Sequence, residues 1–186
     1  MIRRTSILHS FVLSPNPEAT VRIAVHVEPE ADAPPDVEYR WDSDTDILSA
    51  RLSTAAAVEG TPGSVEVTGE DGSWLIIDLT AGRINGVEVA VWPDVRKRAT
   101  LDPPAPSQAG HAVVRAATPE GAVPALEMST AVLAEADAAE RTIHFRLGGP
   151  RRTRTLRLGR DLLLDLDAQS RLAGVWLLNV PPCPEP

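Results

Sequence analysis

The stretch VEYRWDSDTDILSARL, from Val37 to Leu52, aligns without a gap over VLAEADAAERTIHFRL, from Val132 to Leu147. A second match follows in the same order along the chain, between residues 77–87 and residues 164–175. The matched pairs include Asp42 with Asp137, Leu48 with Ile143, Arg51 with Arg146, Leu52 with Leu147, Asp78 with Asp165 and Gly86 with Gly174. Two collinear matches indicate an internal duplication, because chance similarities rarely recur in the same order.

Short runs of alternating apolar and polar residues, separated by Gly, Pro, Asn and Asp, dominate the chain and are typical of strands and turns. The strands predicted in this way are 5–13, 21–27, 37–41, 47–53, 64–68, 73–79, 83–92, 111–117, 142–147, 152–158, 161–166 and 171–180. At most one short helix is predicted, over residues 124–140, because this stretch is rich in Ala and begins at Pro124.

The duplication and the strand pattern together predict a mainly β fold of two related antiparallel units packed as an internal pseudo-dimer. The first unit is predicted at 1–95 and the second, divergent unit with a Pro-rich tail at 111–186, joined by a Pro-rich linker at 96–110. Each unit has fewer than about 100 residues and buries little core alone, so each is expected to cover the other.

The first copy carries a short motif made of Trp41-Asp42, Asp46, Leu48 and Leu52, followed by Asp78, Gly82 and Gly86-Val87-Glu88-Val89. It resembles a family of short bacterial proteins classed as a domain of unknown function, with the pattern Tyr-Asp-x-x-x-Asp-x-Leu-x-x-x-Leu and then Asp-x-Asp-x-x-Gly-x-x-x-Gly-Ile-Glu-Ile. The first copy has Trp for Tyr and lacks one residue before Gly82. The second copy has Arg141, Ser170 and Trp176 where the family has Asp, Gly and Glu. The resemblance covers about half of the chain and implies a small strand-rich module without a settled activity.

The net charge of −8 argues against a protein that binds nucleic acid or anionic membrane through general positive charge. No apolar run approaches the roughly 18 residues needed to cross a bilayer, and the start of the chain does not have the pattern of a signal peptide. Cys183 is the only cysteine, so no disulfide within the chain is possible. We therefore expect a cytoplasmic protein that does not bind membranes.

No complete catalytic or cofactor motif is present, so neither a cofactor nor a metal is predicted. The alternating carboxylates of Asp42, Asp44 and Asp46 resemble the start of a calcium loop, but Ile47 and Ser53 stand where that loop needs Gly and Glu. We expect an Asx-type turn there instead. A Ser, a His and an Asp brought together from distant positions remain an open alternative.

The last predicted strand has apolar residues on both faces, and the residues of its second face are Trp176, Leu178 and Val180. Such a face is typical of a covered surface, and the cover is either the other copy or a separate partner protein.

Charge is unevenly distributed along the chain. Residues 1–95 carry 6 basic and 16 acidic side chains, whereas residues 96–186 carry 12 and 10. The run 146–160 has six arginines and no acid, and its Arg152, Arg154 and Arg157 are candidate partner contacts. The simplest explanation is a solvated face, and the alternatives are the acidic run 28–46 of the same chain or an acidic partner. Nucleic acid is disfavoured because no aromatic residues interleave with the arginines of residues 151–160.

These patterns favour a non-catalytic interaction or regulatory module of a bacterial assembly, whose partner is another protein or a second copy. The alternative is a small hydrolase with its site at the seam between the copies. A convergent polar pocket with a strongly shifted carboxyl or histidine pKa would favour the enzyme. A flat apolar patch bordered by arginine would favour the module.

Overall fold

The computed structural model describes residues 23–30, 33–53, 60–114 and 125–184. Within these ranges the chain forms fourteen strands and no helix, which confirms the predicted mainly β fold, and no helix there could span a membrane. The strands are β1 (Val25–Pro29), β2 (Val37–Asp42), β3 (Ile47–Leu52), β4 (Pro62–Thr68), β5 (Trp74–Thr80), β6 (Arg83–Val91), β7 (Val95–Arg98), β8 (Gln108–Val114), β9 (Leu126–Ser129), β10 (Val132–Asp137), β11 (Ile143–Leu147), β12 (Thr153–Arg157), β13 (Leu162–Asp167) and β14 (Leu172–Leu177). The predicted strand at 5–13 lies outside the described residues.

The helix predicted over 124–140 is wrong, because residues 126–129 and 132–137 are the strands β9 and β10. In β10 the buried Val132, Ala134 and Ala136 alternate with half-buried residues, which is the period of a strand. β10 lies between β7 and β11 and hydrogen-bonds with both. The high helix propensity of Ala is a weak preference that this pairing overrides.

Two five-stranded groups have the same strand order. The first half runs β2-β3-β6-β5-β4 and the second half runs β10-β11-β14-β13-β12. Arg51 pairs with Gly86 in the first half, and Arg146 pairs with Gly174 in the second. A register shift follows Asp78 in β5 and follows Asp165 in β13. Residues aligned in the sequence thus occupy corresponding positions in the two halves, down to an irregularity of the strands.

The segments that flank each half pair with the opposite half. β7 follows the first half and pairs in parallel with β10, and β9 precedes the second half and pairs in parallel with β4. Near the end of the chain, the indole Nε1 of Trp41 in β2 donates to the carbonyl of Pro181 over 2.9 Å. The carbonyl of Pro35, just before β2, accepts from the backbone amide of Arg160 over 2.7 Å. An edge strand of each half therefore pairs with a segment that is adjacent in sequence to the other half.

The strands of both halves belong to one hydrogen-bonded sheet, in which β8 links β12 of the second half to β6 of the first. One hydrophobic cluster contains residues of both halves, including Leu48, Ile77, Phe145 and Leu164. β5 has alternating buried and more exposed residues, whereas every residue of β13 and β14 is buried. Both sheet faces are therefore buried at β13 and β14, whereas β5 is buried on one face only. The segment predicted as a linker at 96–110 includes most of β7 and the start of β8.

Gly86 and Gly174 allow close approach between neighbouring strands. A Cβ atom would lie 2.9 Å from the carbonyl oxygen of Ala50 at Gly86, and 2.8 Å from that of Phe145 at Gly174. We predict that Gly86→Ala and Gly174→Ala each lower the free energy of unfolding by about 1–3 kcal/mol, because the neighbouring backbone has to move. Urea unfolding measures this.

The control for both variants is Gly149→Ala, because a Cβ there meets nothing within 4 Å. This variant should unfold at the same urea concentration as the wild type or slightly above it, since Ala restricts the unfolded chain. Equal stability of all three variants would contradict the close strand approach.

Candidate functional site

The predicted binding face of Trp176, Leu178 and Val180 is largely buried within the single chain. Trp176 is 6% exposed, and its ring stacks on His144 with 3.9 Å between centroids. Val180 belongs to the hydrophobic cluster, and Leu178 is half-buried with its carbonyl accepting from the Tyr39 hydroxyl over 2.7 Å. The described ring and hydrogen-bond partners of Trp176 lie in its own half rather than in the first half. Most of this face is therefore not available to a partner.

A buried carboxylate network lies beside Trp176. Oδ2 of Asp165 is 2.9 Å from Nε1 of Trp176 and 3.0 Å from Nε2 of His144, and Oδ1 accepts from the Thr155 hydroxyl over 2.8 Å. Burial by itself raises the pKa of Asp165, but the hydrogen bonds from His144, Thr155 and Trp176 outweigh it and hold the pKa below its ordinary value. The ionised form of Asp165 is thus stabilised by three side-chain hydrogen bonds.

His, Asp and Thr are the residue types of a nucleophilic triad, but their arrangement here does not provide one. The Thr155 hydroxyl donates to the carboxylate of Asp165, so it is directed at the acid and not at a base. His144 is stacked flat against Trp176 and lines none of the described cavities. We interpret this network as a structural one that fixes the outer face of the second half.

The corresponding residue of the first half is Asp78, and its pKa is shifted in the opposite direction. Burial raises the pKa of Asp78 above its ordinary value, while Arg51 at 3.3 Å opposes the increase and Glu88 adds to it. Arg51 is largely exposed, so its contribution is weakened by solvent. Asp78 therefore has none of the three side-chain donors that stabilise the charge of Asp165.

Four arginines of the second half cluster around the turn between β13 and β14. Arg151 and Arg171 contact the buried Asp167, and Arg154 donates to the Ser170 hydroxyl over 3.0 Å. Arg152 is exposed and has no hydrogen-bond partner among the described residues. A pocket of about 380 Å³ lies among them, which we call the arginine pocket; it is lined by Gly149, Pro150, Arg151, Arg152, Asp167, Ala168, Gln169 and Arg171.

Arg157, the third arginine predicted as a partner contact, does not line this pocket. Arg157 donates to the carbonyl of Arg160 over 2.7 Å, and Arg160 pairs with Asp36 at 3.1 Å. Within the described chain, the basic and acidic runs therefore meet at this exposed pair.

A second cavity lies where the two halves and the end of the chain meet. This junction cleft has a volume of about 400 Å³ and is lined by Trp41, Trp92, Val95, Ala136, Ala139, Glu140, Ile143, Pro181, Pro182 and Cys183. Trp41 and Trp92 stack with centroids 5.8 Å apart, and Trp92 also contacts the buried Phe145. The cleft thus has an aromatic wall that continues into the core.

Uninterrupted alternation along β6 would place Trp92 on the same face as Glu88, but a bulge interrupts this strand. Trp74 pairs with Val91 but Leu75 pairs with Val89, so Ala90 is an extra residue that reverses the alternation. Val91 is consequently 46% exposed, while Trp92 packs against the core. A bulge of this kind leaves no clear signal in the alternation of apolar residues.

The acidic stretch forms the expected Asx-type turn. Residues 43–46 connect β2 to β3, and the backbone amide of Asp44 donates to Oδ1 of Asp42 over 3.1 Å. Asp46 has a φ of 56°, in the left-handed region, and its carbonyl accepts from Nε1 of Trp92 over 2.7 Å. The turn therefore helps to position one tryptophan of the junction cleft.

The difference between the two aspartates can be measured as stability. We predict that Asp165→Asn lowers the free energy of unfolding by about 1–3 kcal/mol at pH 7, because it disrupts a charged hydrogen-bond network. Because the pKa of Asp165 is lowered by folding, its contribution is present at neutral pH and is lost as pH falls below about 4. The difference between wild type and Asp165→Asn in urea unfolding should therefore shrink at acidic pH.

Asp78→Asn is the matched variant in the first half. Since folding raises the pKa of Asp78, the neutral amide removes an unfavourable buried charge, and stability at pH 7 should be unchanged or slightly higher. If Asp78→Asn were as destabilising as Asp165→Asn, the assigned difference between the two environments would be incorrect.

Comparison with known proteins gives no assignment for this chain. No protein-family model matches it, and no curated protein matches it in sequence.

Proposed function

We propose that the chain is a non-catalytic interaction module that binds another protein at the junction cleft. The supporting observation is the stacked pair of Trp41 and Trp92, which forms a wall of a cavity of about 400 Å³ and is only half-buried. Concave, largely apolar sites with an aromatic wall are the usual receptors for an anchoring side chain of a partner.

The composition of the cleft favours an apolar anchor such as a Leu, Met or Phe side chain. Ala136 and Ile143 line the cleft and belong to the buried core, and Pro181 and Pro182 add further apolar surface to the lining. Burying one such side chain contributes about 1.5–3 kcal/mol. Glu140 is the only acidic side chain of the lining and contacts Lys97, so its charge is balanced.

The hydrolase alternative has less support at this seam. Cys183 is an exposed free thiol, but none of the residues that line the cleft is a histidine that could activate it. One close pair of a His and an Asp, His144 and Asp165, lies in the network beside Trp176 and outside the cleft.

The proposal includes the origin and location of the chain. We propose that the halves arose by duplication of a unit related to the family that Trp41-Asp42 and Gly86-Val87-Glu88-Val89 resemble, which the shared strand order and register support. In this proposal the halves form an internal pseudo-dimer.

The free thiol of Cys183 supports a reducing compartment, and we propose the cytoplasm of a bacterium.

Blocking the cleft tests the proposal without disturbing the core. Ala139 lines the cleft and is exposed, so Ala139→Arg places a long charged side chain at the opening. Native purification of tagged protein, followed by quantitative mass spectrometry, should recover a partner with wild type and lose most of it with Ala139→Arg. The partner, once purified, should also slow the reaction of Cys183 with a maleimide, because this sole cysteine lines the cleft.

The matched control is Ala138→Arg, an exposed neighbour in the same turn that does not line the cleft. It should retain the partner to the same extent as wild type. If both variants retain the partner and the thiol reacts at an unchanged rate, the junction cleft is not the binding site.

A further inference from the structure

The arginine pocket lies on the second half and is formed by different residues from those of the junction cleft. Two connections form it: Gly149 to Arg152 before β12, and Asp167 to Arg171 before β14. The side chains of Arg151, Arg152 and Arg171 face the same cavity of about 380 Å³.

A single buried carboxylate orders this pocket. Asp167 is 3% exposed; Oδ1 accepts from the backbone amides of Gln169 and Arg171, and Oδ2 accepts from Nε of Arg171 over 2.9 Å. Nε of Arg151 lies 3.6 Å from the same Oδ2, and Nη2 of Arg151 donates to the carbonyl of Leu172 over 3.0 Å. Two guanidinium groups are therefore held in place before any ligand arrives, which lowers the entropy cost of binding.

Several donors of these arginines remain available. Nη2 of Arg171 donates to Oε1 of Gln169, and Nη1 of Arg151 reaches the carbonyl of Gly149 only at 3.4 Å. Arg152 makes no hydrogen bond to any described residue. Three guanidinium groups face one carboxylate in the lining, so the pocket has an excess of two positive charges.

We propose that the arginine pocket binds a phosphate monoester in its dianionic form. The excess charge of two matches the charge of about −1.5 to −2 that a phosphate monoester carries at pH 7. Guanidinium groups bind phosphate through paired N–H donors, and three of them around one cavity surround a tetrahedral group better than a flat carboxylate. A cavity of about 380 Å³ also has room for the organic group that carries the phosphate.

Calorimetric titration of the full chain at fixed ionic strength tests this proposal with O-phosphoserine as the probe and glutamate as its carboxylate counterpart. Wild type should bind phosphoserine about tenfold more tightly than glutamate. Arg152→Gln should weaken phosphoserine binding about tenfold, since it removes a charged donor group. Arg152 is exposed and unpaired among the described residues, so this variant should retain the fold.

The control is Arg141→Gln, which removes the same charge from an exposed position of the second half outside the pocket. It should bind phosphoserine within about twofold of wild type. Equal weakening by the two variants would indicate general charge attraction and overturn the proposal, as would glutamate binding as tightly as phosphoserine or no heat of binding at millimolar phosphoserine.

A second titration distinguishes two possible ligands, a phosphorylated protein segment and a small phosphorylated molecule. A capped pentapeptide with phosphoserine at its centre should bind as tightly as the free amino acid if the ligand is a phosphorylated protein segment. Binding of free phosphoserine alone would identify a small phosphorylated molecule, and both results support a phosphate monoester site.

Discussion

The exchange of edge strands between the two halves is the constraint on which the rest of the structure depends. β4 gains its outer neighbour from the segment that leads into the second half, and β10 gains its outer neighbour from the segment that leaves the first. An open strand edge exposes unpaired amide and carbonyl groups, so each half leaves hydrogen bonds unmade without the other. The two halves also meet where Trp41 donates to the carbonyl of Pro181, and both residues line the junction cleft.

One strand arrangement supports two different polar surfaces. At corresponding positions Ser49 and Glu88 of the first half are replaced by His144 and Trp176, and the aspartate between them changes from a carboxyl with a raised pKa to one with a lowered pKa. Because the backbone positions are shared, the difference arises from the donors around each carboxylate. The first half has an open polar groove along Glu38, Arg40 and Glu88, whereas in the second half both faces of β14 are buried.

The sequence was sufficient to predict most described strands, because turn residues and alternation are local signals: β2 and β3 begin at the predicted residues Val37 and Ile47. It misassigned β9 and β10, where the Ala-rich composition concealed strands that pair in parallel with the distant β4 and β7. It predicted that the Trp176 face is covered but left the cover open, since alternation alone does not show that His144 and Asp165 lie against the ring. The junction cleft was not predictable, because its tryptophans become neighbours only through a bulge and a returning chain end.

The exchanged segments also have a consequence for synthesis on the ribosome. While the second half is still being made, β4 lacks β9, and β2 lacks the Pro181 segment that contacts Trp41. The first half therefore emerges with unpaired strand edges, and native pairing over such long sequence separations is slow. The net charge of this half matters before the second half has been synthesised. Residues 1–95 carry 16 acidic and 6 basic side chains, and a strong net charge keeps incomplete chains apart. From the uneven distribution of charge along the sequence we expect repulsion that opposes self-association of incomplete chains until the partner strands arrive.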